Sequence, residues 1–394
     1  MLREDLLVFL ATVFHIINVG LVIIGLQVIF IGVVPDMYIA VLSTVYWIPI
    51  LVFSPLWGYL ADATGQYKKV MTSTLVLFAA ITYMHAVFTD YVSILILRFL
   101  SGLFSAAYTP IMQAYMTLDI EYRVFGKKIA TYNTAVAVGF LSSGYLTSIV
   151  LFYVSPVSIF YFAALSTMVS AFMVSLLPRK HGHRRIVNVG EAISSLFSLR
   201  AVKILRKRRA HFLVFGLAVR HIAIMGMFSL IYVYMQRRGI PEYLLGILSS
   251  FNNIMQVLLI PIFGVLVDRI GRKKVFVPGF VLSSMIPLFF INAITPLDFA
   301  IAFSFIGIGY ALLISGANPY LRDAAPRGEE SEILSLANTT RAFGMIFGPI
   351  IVGTLVAFFS YEAMFYILFV IGILASLMAM VSQEQYGYRQ IRAL

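Results

Sequence analysis

Cysteine is absent from the 394 residues, which excludes disulfides, thiolate metal ligands and thiol nucleophiles. Charge is scarce too: Asp, Glu, Lys and Arg together make up 12% of the chain against 61% apolar residues, a balance that soluble domains do not have. Acids are the scarcer sign, 17 against 29 Lys and Arg. There is no Gly-x-x-x-x-Gly-Lys-Ser/Thr phosphate loop and no His-Glu-x-x-His pair, and the six histidines are dispersed. Nucleotide-driven pumping and metallopeptidase chemistry are thereby disfavoured. No catalytic residue, metal site or cofactor is expected.

What is present is a series of long apolar runs, near 6–31, 39–61, 70–88, 92–117, 128–151, 156–177, 212–236, 243–267, 275–294, 297–319, 333–358 and 362–381. At roughly 1.5 Å per residue, each is long enough for a hydrocarbon core of about 30 Å. The runs are continuously apolar rather than alternating, so helices are expected and a barrel is not. The expected fold is an all-α membrane protein of twelve transmembrane helices. The first run is too long for a signal-peptide core and has no small-residue cleavage site after it, so it reads as a retained helix.

The net charge of +12 does not point to nucleic acid, because of where it lies. Of the 29 Lys and Arg, 24 fall in segments on one side of the expected membrane, Arg237 and Arg238 on the other, and Arg98, Arg220 and Arg341 inside helices. The positive-inside rule then places both termini and the 178–211 segment in the cytoplasm, with the cell membrane as the expected location. That segment carries ten Lys and Arg against the single acid Glu191. Its stretch Val189–Leu205 suits an amphipathic helix on an anionic lipid surface, and a plain solvated linker fits equally well.

An internal repeat crosses this linker. Pro55, Gly58, Asp62, Gly65 and Lys68 recur 206 positions later as Pro261, Gly264, Asp268, Gly271 and Lys274. Tyr115, Asn133, Thr134 and Gly139 recur at an offset of 205 as Tyr320, Asn338, Thr339 and Gly344. The expected domains are a six-helix bundle over 1–177, a basic linker over 178–211 and a second six-helix bundle with a short tail over 212–394. Two parallel repeats of this kind are pseudo-symmetric and leave a cavity near the midplane.

The loop Gly264-Val-Leu-Val-Asp268-Arg269-Ile-Gly271-Arg272-Lys273-Lys274 resembles the signature loop of the major facilitator superfamily. The first copy keeps Gly58, Asp62 and Gly65 but has Ala63, Gln66 and Tyr67 where basic residues are usual. The element Arg98-Phe-Leu-Ser-Gly102 is similar to the family's Arg-x-x-x-Gly motif in the fourth helix. The resemblance spans the chain and implies a secondary transporter working by alternating access, as symporter or antiporter. It also implies that Gly58, Asp62, Gly65, Gly264, Asp268, Arg269, Gly271 and Arg272 form a cytoplasmic gate. In that gate Gly58 and Gly264 are expected to let helices approach, Gly65 and Gly271 to turn the chain, and the Asp residues to cap a helix or pair with nearby bases. The Gly-x-x-x-Gly-Pro element that proton-coupled exporters of the family often carry in the fifth helix is missing there. It stands instead in the eleventh run as Gly344, Gly348 and Pro349.

All 17 acids fall in loops or at helix ends, whereas three arginines lie within spans. An arginine at the bilayer centre costs about 2.5–3.5 kcal/mol on insertion scales, so it should face the bundle interior and have a partner. A guanidinium fork suits carboxylate or phosphate. The expected site is therefore Arg220 and Arg341 with His15 and His221, themselves a repeat pair, completed by Asn18, Asn252, Asn253, Gln256, Asn318 and Asn338. The expected partner is an anionic small solute, taken up by a monomer in the lipid bilayer, with a histidine available to couple protons. A multidrug or neutral-sugar porter of the same fold and a non-transporting solute sensor are the alternatives.

Overall fold

A computed structural model of the protein describes residues 3–118, 122–180, 199–206, 209–325 and 330–383. Among them are fifteen helices and no strand. They are α1 (Arg3–Phe30), α2 (Asp36–Thr64), α3 (Tyr67–Val87), α4 (Tyr91–Ser105), α5 (Tyr108–Thr117), α6 (Tyr122–Tyr153), α7 (Ser158–Ser175) and α8 (Leu199–Arg206). The chain continues through α9 (His211–Phe228), α10 (Ile231–Arg237), α11 (Glu242–Ile270), α12 (Arg272–Ile291), α13 (Pro296–Ala324), α14 (Glu330–Phe358) and α15 (Tyr361–Val381). Twelve stretches are long and apolar enough to span a bilayer, as expected. The fourth, Tyr91–Met116, is broken between α4 and α5 at Ala106 and Ala107. Most of the linker, including Val189 to Phe197, lies outside the described residues, as does the tail beyond Gln383; of the amphipathic stretch, Leu199–Leu205 is helical in α8.

Helix ends follow local chemistry. Asp90 caps α4 by accepting from the Ser93 amide at 2.8 Å, and the hydrogen bonds from Ser93 hold its carboxyl below the usual carboxylate range. Thr295 and Asp298 form a reciprocal capping box at α13. Gly65 (φ 65°) and Gly271 (φ 99°) turn the chain between antiparallel helices in a region closed to most side chains.

By its contacts the chain divides into two compact units, residues 1–193 with 229–253, and 194–228 with 254–394. The division departs from the linker: Ser229–Asn253, early in the second sequence half, packs with unit 1. Backbone contact explains this, because Gly144 on α6 and Gly246 on α11 touch so closely that neither has room for a methyl group. The Ile247 amide donates to Ser148 Oγ at 2.8 Å, the Tyr232 amide donates to Gln27 Oε1 at 3.1 Å, and Arg237 pairs with Asp36 at 2.8 Å.

Within each unit the same packing recurs. In unit 1, α1 packs on α6 and α7 and α3 on α7; in unit 2, α9 packs on α14 and α15 and α12 on α15. The repeat glycines lie at the corresponding seams. A methyl at Gly139 would come 2.7 Å from Ile16 Cβ on α1, and one at Gly344 would collide with His221 on α9. Gly20 against Ser143 and Gly226 against Gly348 form a second matched pair. The tyrosine repeat is also structural: Tyr115 Oη donates to the Pro178 carbonyl at 2.9 Å, and Tyr320 Oη to the Gln383 carbonyl at 2.6 Å. Each tyrosine ties down the chain leaving the last helix of its half.

Candidate functional site

Of the polar groups that sequence reasoning set apart, unit 2 holds Arg220, His221, Gln256, Asn318, Asn338 and Arg341, and unit 1 holds His15, Asn18, Asn252 and Asn253. Arg220 on α9 is 1% exposed, and its Nε donates to Ser283 Oγ on α12 at 3.2 Å. Its Cζ lies 5.8 Å from the centre of the Tyr310 ring on α13, within cation–π range. Both terminal nitrogens of Arg220 are buried without a hydrogen-bond partner. On α14, Arg341 donates through Nη2 to Asn318 Oδ1 at 2.6 Å and through Nη1 to Asn338 Oδ1 at 3.1 Å, while its Nε is buried and unpartnered. Tyr310 and the two guanidinium groups lie within electrostatic reach of one another.

Among the acids of the unit whose side chains are described, none pairs with this cluster. Asp268 and Asp323 are bound to Arg272, Asp298 sits in its capping box, and Glu362 lies in the first turn of α15. A buried charge without a partner is costly, and a buried donor left open adds to that cost. Open guanidinium donors in this setting are competent to bind an oxyanion.

The other expected site residues are divided. His221 directs Nδ1 to the Leu217 carbonyl at 2.8 Å and packs at the Gly344 crossing. It adjoins the arginines, but its ring serves the α9–α14 seam. His15 belongs to unit 1, stacked on Tyr108 with centroids 4.1 Å apart and tilted against Phe78. Asn18 knits α1 to α3 and α7, donating to Thr82 Oγ1 at 3.1 Å and to the Ala163 carbonyl at 2.9 Å. Asn252, Asn253 and Gln256 are half-buried along α11.

Sequence reasoning missed Ser283 and Tyr310. A tyrosine among 22 and a serine in an apolar helix carry little signal alone. The available signal for Tyr310 was asymmetry, since the repeat places Ser105 opposite it, just as it places Phe14 opposite Arg220 and Val136 opposite Arg341.

The motif loops are only partly as expected. Arg272 Nη1 donates to Asp268 Oδ1 at 2.5 Å and its Nε to Asp323 Oδ2 at 3.3 Å, joining the ends of α11, α12 and α13; Arg269 is exposed. In the first copy Gln66 stands where Arg272 does in the second, and Asp62 instead accepts from Tyr67 Oη at 2.6 Å. Lys68 donates to the Leu177 carbonyl at 2.9 Å. The expected close approach at Gly58 and Gly264 is corrected. A methyl at Gly58 would have 3.8 Å of clearance from Pro110, and one at Gly264 would meet open space. The tight crossing falls instead at Gly102, where a methyl would strike the Tyr46 carbonyl. Arg98 reinforces it, donating through Nε to the Leu42 carbonyl at 3.3 Å with Cζ 4.2 Å above the Tyr46 ring.

Twelve spans in two repeated helical units, with polar side chains turned into a unit's interior, define a secondary transporter of the membrane rather than an enzyme. The chain belongs to the major facilitator superfamily, whose family model matches residues 8–255 and 238–386. It is similar to the multi-drug resistance efflux pump PmrA of Streptococcus pneumoniae, 23% identical over 80% of this chain and 78% of the relative. A putative metabolite transport protein of Haemophilus influenzae is 26% identical over 82% of this chain and 81% of its own. Among solved structures, the nucleoside transporter NupG superposes with a TM-score of 0.82 at 15% identity, over 97% of this chain and 100% of that one. A POT family transporter in complex with 5-aminolevulinic acid gives 0.77 at 13%, over 96% of each chain. At such identities these structures share the fold.

Proposed function

We propose that this transporter carries a small organic anion, a carboxylate or phosphate ester, recognised chiefly by Arg220 and Arg341 of unit 2. The observation that carries the reading is the pair of open, buried terminal nitrogens on Arg220 beside a second guanidinium with an open Nε. A cation inside the membrane that lacks an acid partner marks a functional site by default, and an arriving oxyanion supplies the missing acceptors. Asn318 and Asn338 fix the Arg341 fork, and Ser283 with Tyr310 fixes that of Arg220. The same reading has a monomer in the cell membrane with both termini cytoplasmic, because the basic loops lie on that side.

A second reading, export of lipophilic compounds, is favoured by the name of the pneumococcal relative. A cationic drug would meet two arginines in unit 2, where Asp268, Asp298, Asp323 and Glu362 stand only at the ends of the spans. The deciding experiment is a binding and proteoliposome uptake screen across organic anions, sugar phosphates, neutral sugars and lipophilic cations. Binding of anions, lost in Arg220→Gln and Arg341→Gln proteins that still fold, is the expected result. Movement of neutral or cationic solutes only overturns the proposal.

A further inference from the structure

On the lipid-facing surface of unit 1 a groove of about 400 Å³ runs between α3 and α7, bounded by Val76, Ala80 and Tyr83 on one helix and Tyr161, Ala164 and Met168 on the other. Val76 and Tyr83 are seven residues apart, as are Tyr161 and Met168, so the groove extends roughly 10 Å along the helices. Both tyrosines are exposed about one turn from the helix ends, Tyr83 before Val87 and Tyr161 after Ser158, at the membrane boundary opposite the motif loops. Their ring centres lie 5.5 Å apart, and neither hydroxyl has a hydrogen-bond partner among the described residues. No residue lining the groove is charged.

The groove breaks the internal repeat. α3 and α12 begin 205 positions apart, at Tyr67 and Arg272, and Tyr161 on α7 recurs at the same offset as Tyr366 on α15. At that offset Ala80 and Ala164 are replaced by Met285 and Phe369. Unit 2 carries bulk where unit 1 carries methyl groups, so the shared helix packing does not itself require the opening.

We propose that the groove is a lipid site that holds one acyl chain of a glycerophospholipid from the leaflet opposite the motif loops. An acyl chain lies along the bilayer normal as the groove does, and a length of about 10 Å falls within the roughly 15 Å of hydrocarbon in one leaflet. Tyrosine at the membrane boundary sits at headgroup level, where the two open hydroxyls can donate to a phosphate oxygen or an ester carbonyl. A free fatty acid would bring its carboxylate to a mouth without a cation, so the ester-linked chain is the better match. Lipid tails are as apolar as the groove wall, and preference for this place over the rest of the surface comes from close packing in a concave slot and from the hydrogen bonds at its mouth. The assignment is independent of the transported solute.

The test uses the full chain in detergent, titrated with palmitoyl-oleoyl phosphatidylethanolamine, the corresponding phosphatidylglycerol, or palmitate, with bound lipid counted by native mass spectrometry. The parent is expected to retain one phospholipid, at least about tenfold more tightly than Ala80→Met or Ala164→Phe, which give unit 1 the side chains of unit 2. Palmitate is expected not to displace it. Equal retention by the parent and a folded filled variant, the behaviour of annular lipid only, overturns the proposal. Displacement by palmitate does so too, as does a parent that dimerises and loses the dimer on filling, which assigns the groove to a second copy of the chain. Tyr83→Phe combined with Tyr161→Phe keeps the groove and is expected to weaken retention; full retention overturns the headgroup contact. Where both filled variants misfold, photo-crosslinking of the parent decides. A phosphatidylethanolamine carrying a diazirine in its acyl chain is expected to label residues 76–83 and 161–168 above the other lipid-facing segments, and even labelling around the chain refutes the site.

Discussion

Replacing Arg220 with methionine separates a ligand-binding arginine from a packing one, because the first role predicts little loss of stability and a large loss of anion binding, and the second the reverse. Methionine roughly matches the side chain in length and removes the charge. The loss includes one hydrogen bond to Ser283, which keeps its own bond to the Gly279 carbonyl at 2.7 Å and is not orphaned, and a contact with the Tyr310 ring at 5.8 Å. Together these are worth about 2–4 kcal/mol. The gain is relief from burying an arginine with two open nitrogens, about 2.5–3.5 kcal/mol on insertion scales. The terms nearly cancel, so the unliganded variant should melt within a few degrees of the parent, or above it. Anion binding behaves differently. Two charge-assisted hydrogen bonds at about 1.5–3 kcal/mol each put the loss at no less than about 3 kcal/mol, more than a hundredfold in Kd. The assay is thermal unfolding in detergent across an anion titration, where a ligand at 100 times its Kd stabilises the parent by about 2.7 kcal/mol. A variant that melts far below the parent without ligand, yet keeps the full anion-dependent shift, would refute the reasoning.

Gly344→Ala drives a methyl into His221 at the α9–α14 crossing and should cost about 1–3 kcal/mol. Gly264→Ala meets open space on a helix and should be neutral or stabilising by up to about 1 kcal/mol; equal melting temperatures for the two would contradict the packing described. Asp323→Asn should destabilise more than Asp268→Asn, since the Asp323 side chain is 28% exposed and that of Asp268 64%; the reverse order in denaturant melts would show that the shorter contact dominates. Tyr310→Leu should weaken anion binding by releasing the Arg220 fork, whereas Tyr310→Phe keeps the ring and should stay near parent affinity. Equal losses in the two would assign the effect to the hydroxyl.

The twelve spans and the two-fold repeat were legible from sequence because lipid leaves few choices. A backbone that cannot bond to water must form helices of a set length, and a duplicated half keeps its turn glycines at one offset. The surplus of cations within spans was equally plain, since an arginine in an apolar run stands out whatever the fold. Packing partners were not legible. Gly58 and Gly264 are as small as Gly139 and Gly344, yet only the latter pair lies at a crossing, and that depends on which way each helix face turns. His15 and His221 are a repeat pair in sequence but serve different neighbours, one between aromatic rings and the other beside two arginines.

Sequence alone therefore determined the solvent, the helix count, the repeat and the sign of the intramembrane charge, all of which follow from composition and spacing along one dimension. Tertiary structure decided that Ser283, Tyr310, Asn318 and Asn338, drawn from three helices, hold the two guanidinium groups with three nitrogens left open. It also decided that residues 229–253 pack with unit 1. Both outcomes depend on which helix faces meet, and hydrophobic spacing does not encode that when nearly every face is apolar.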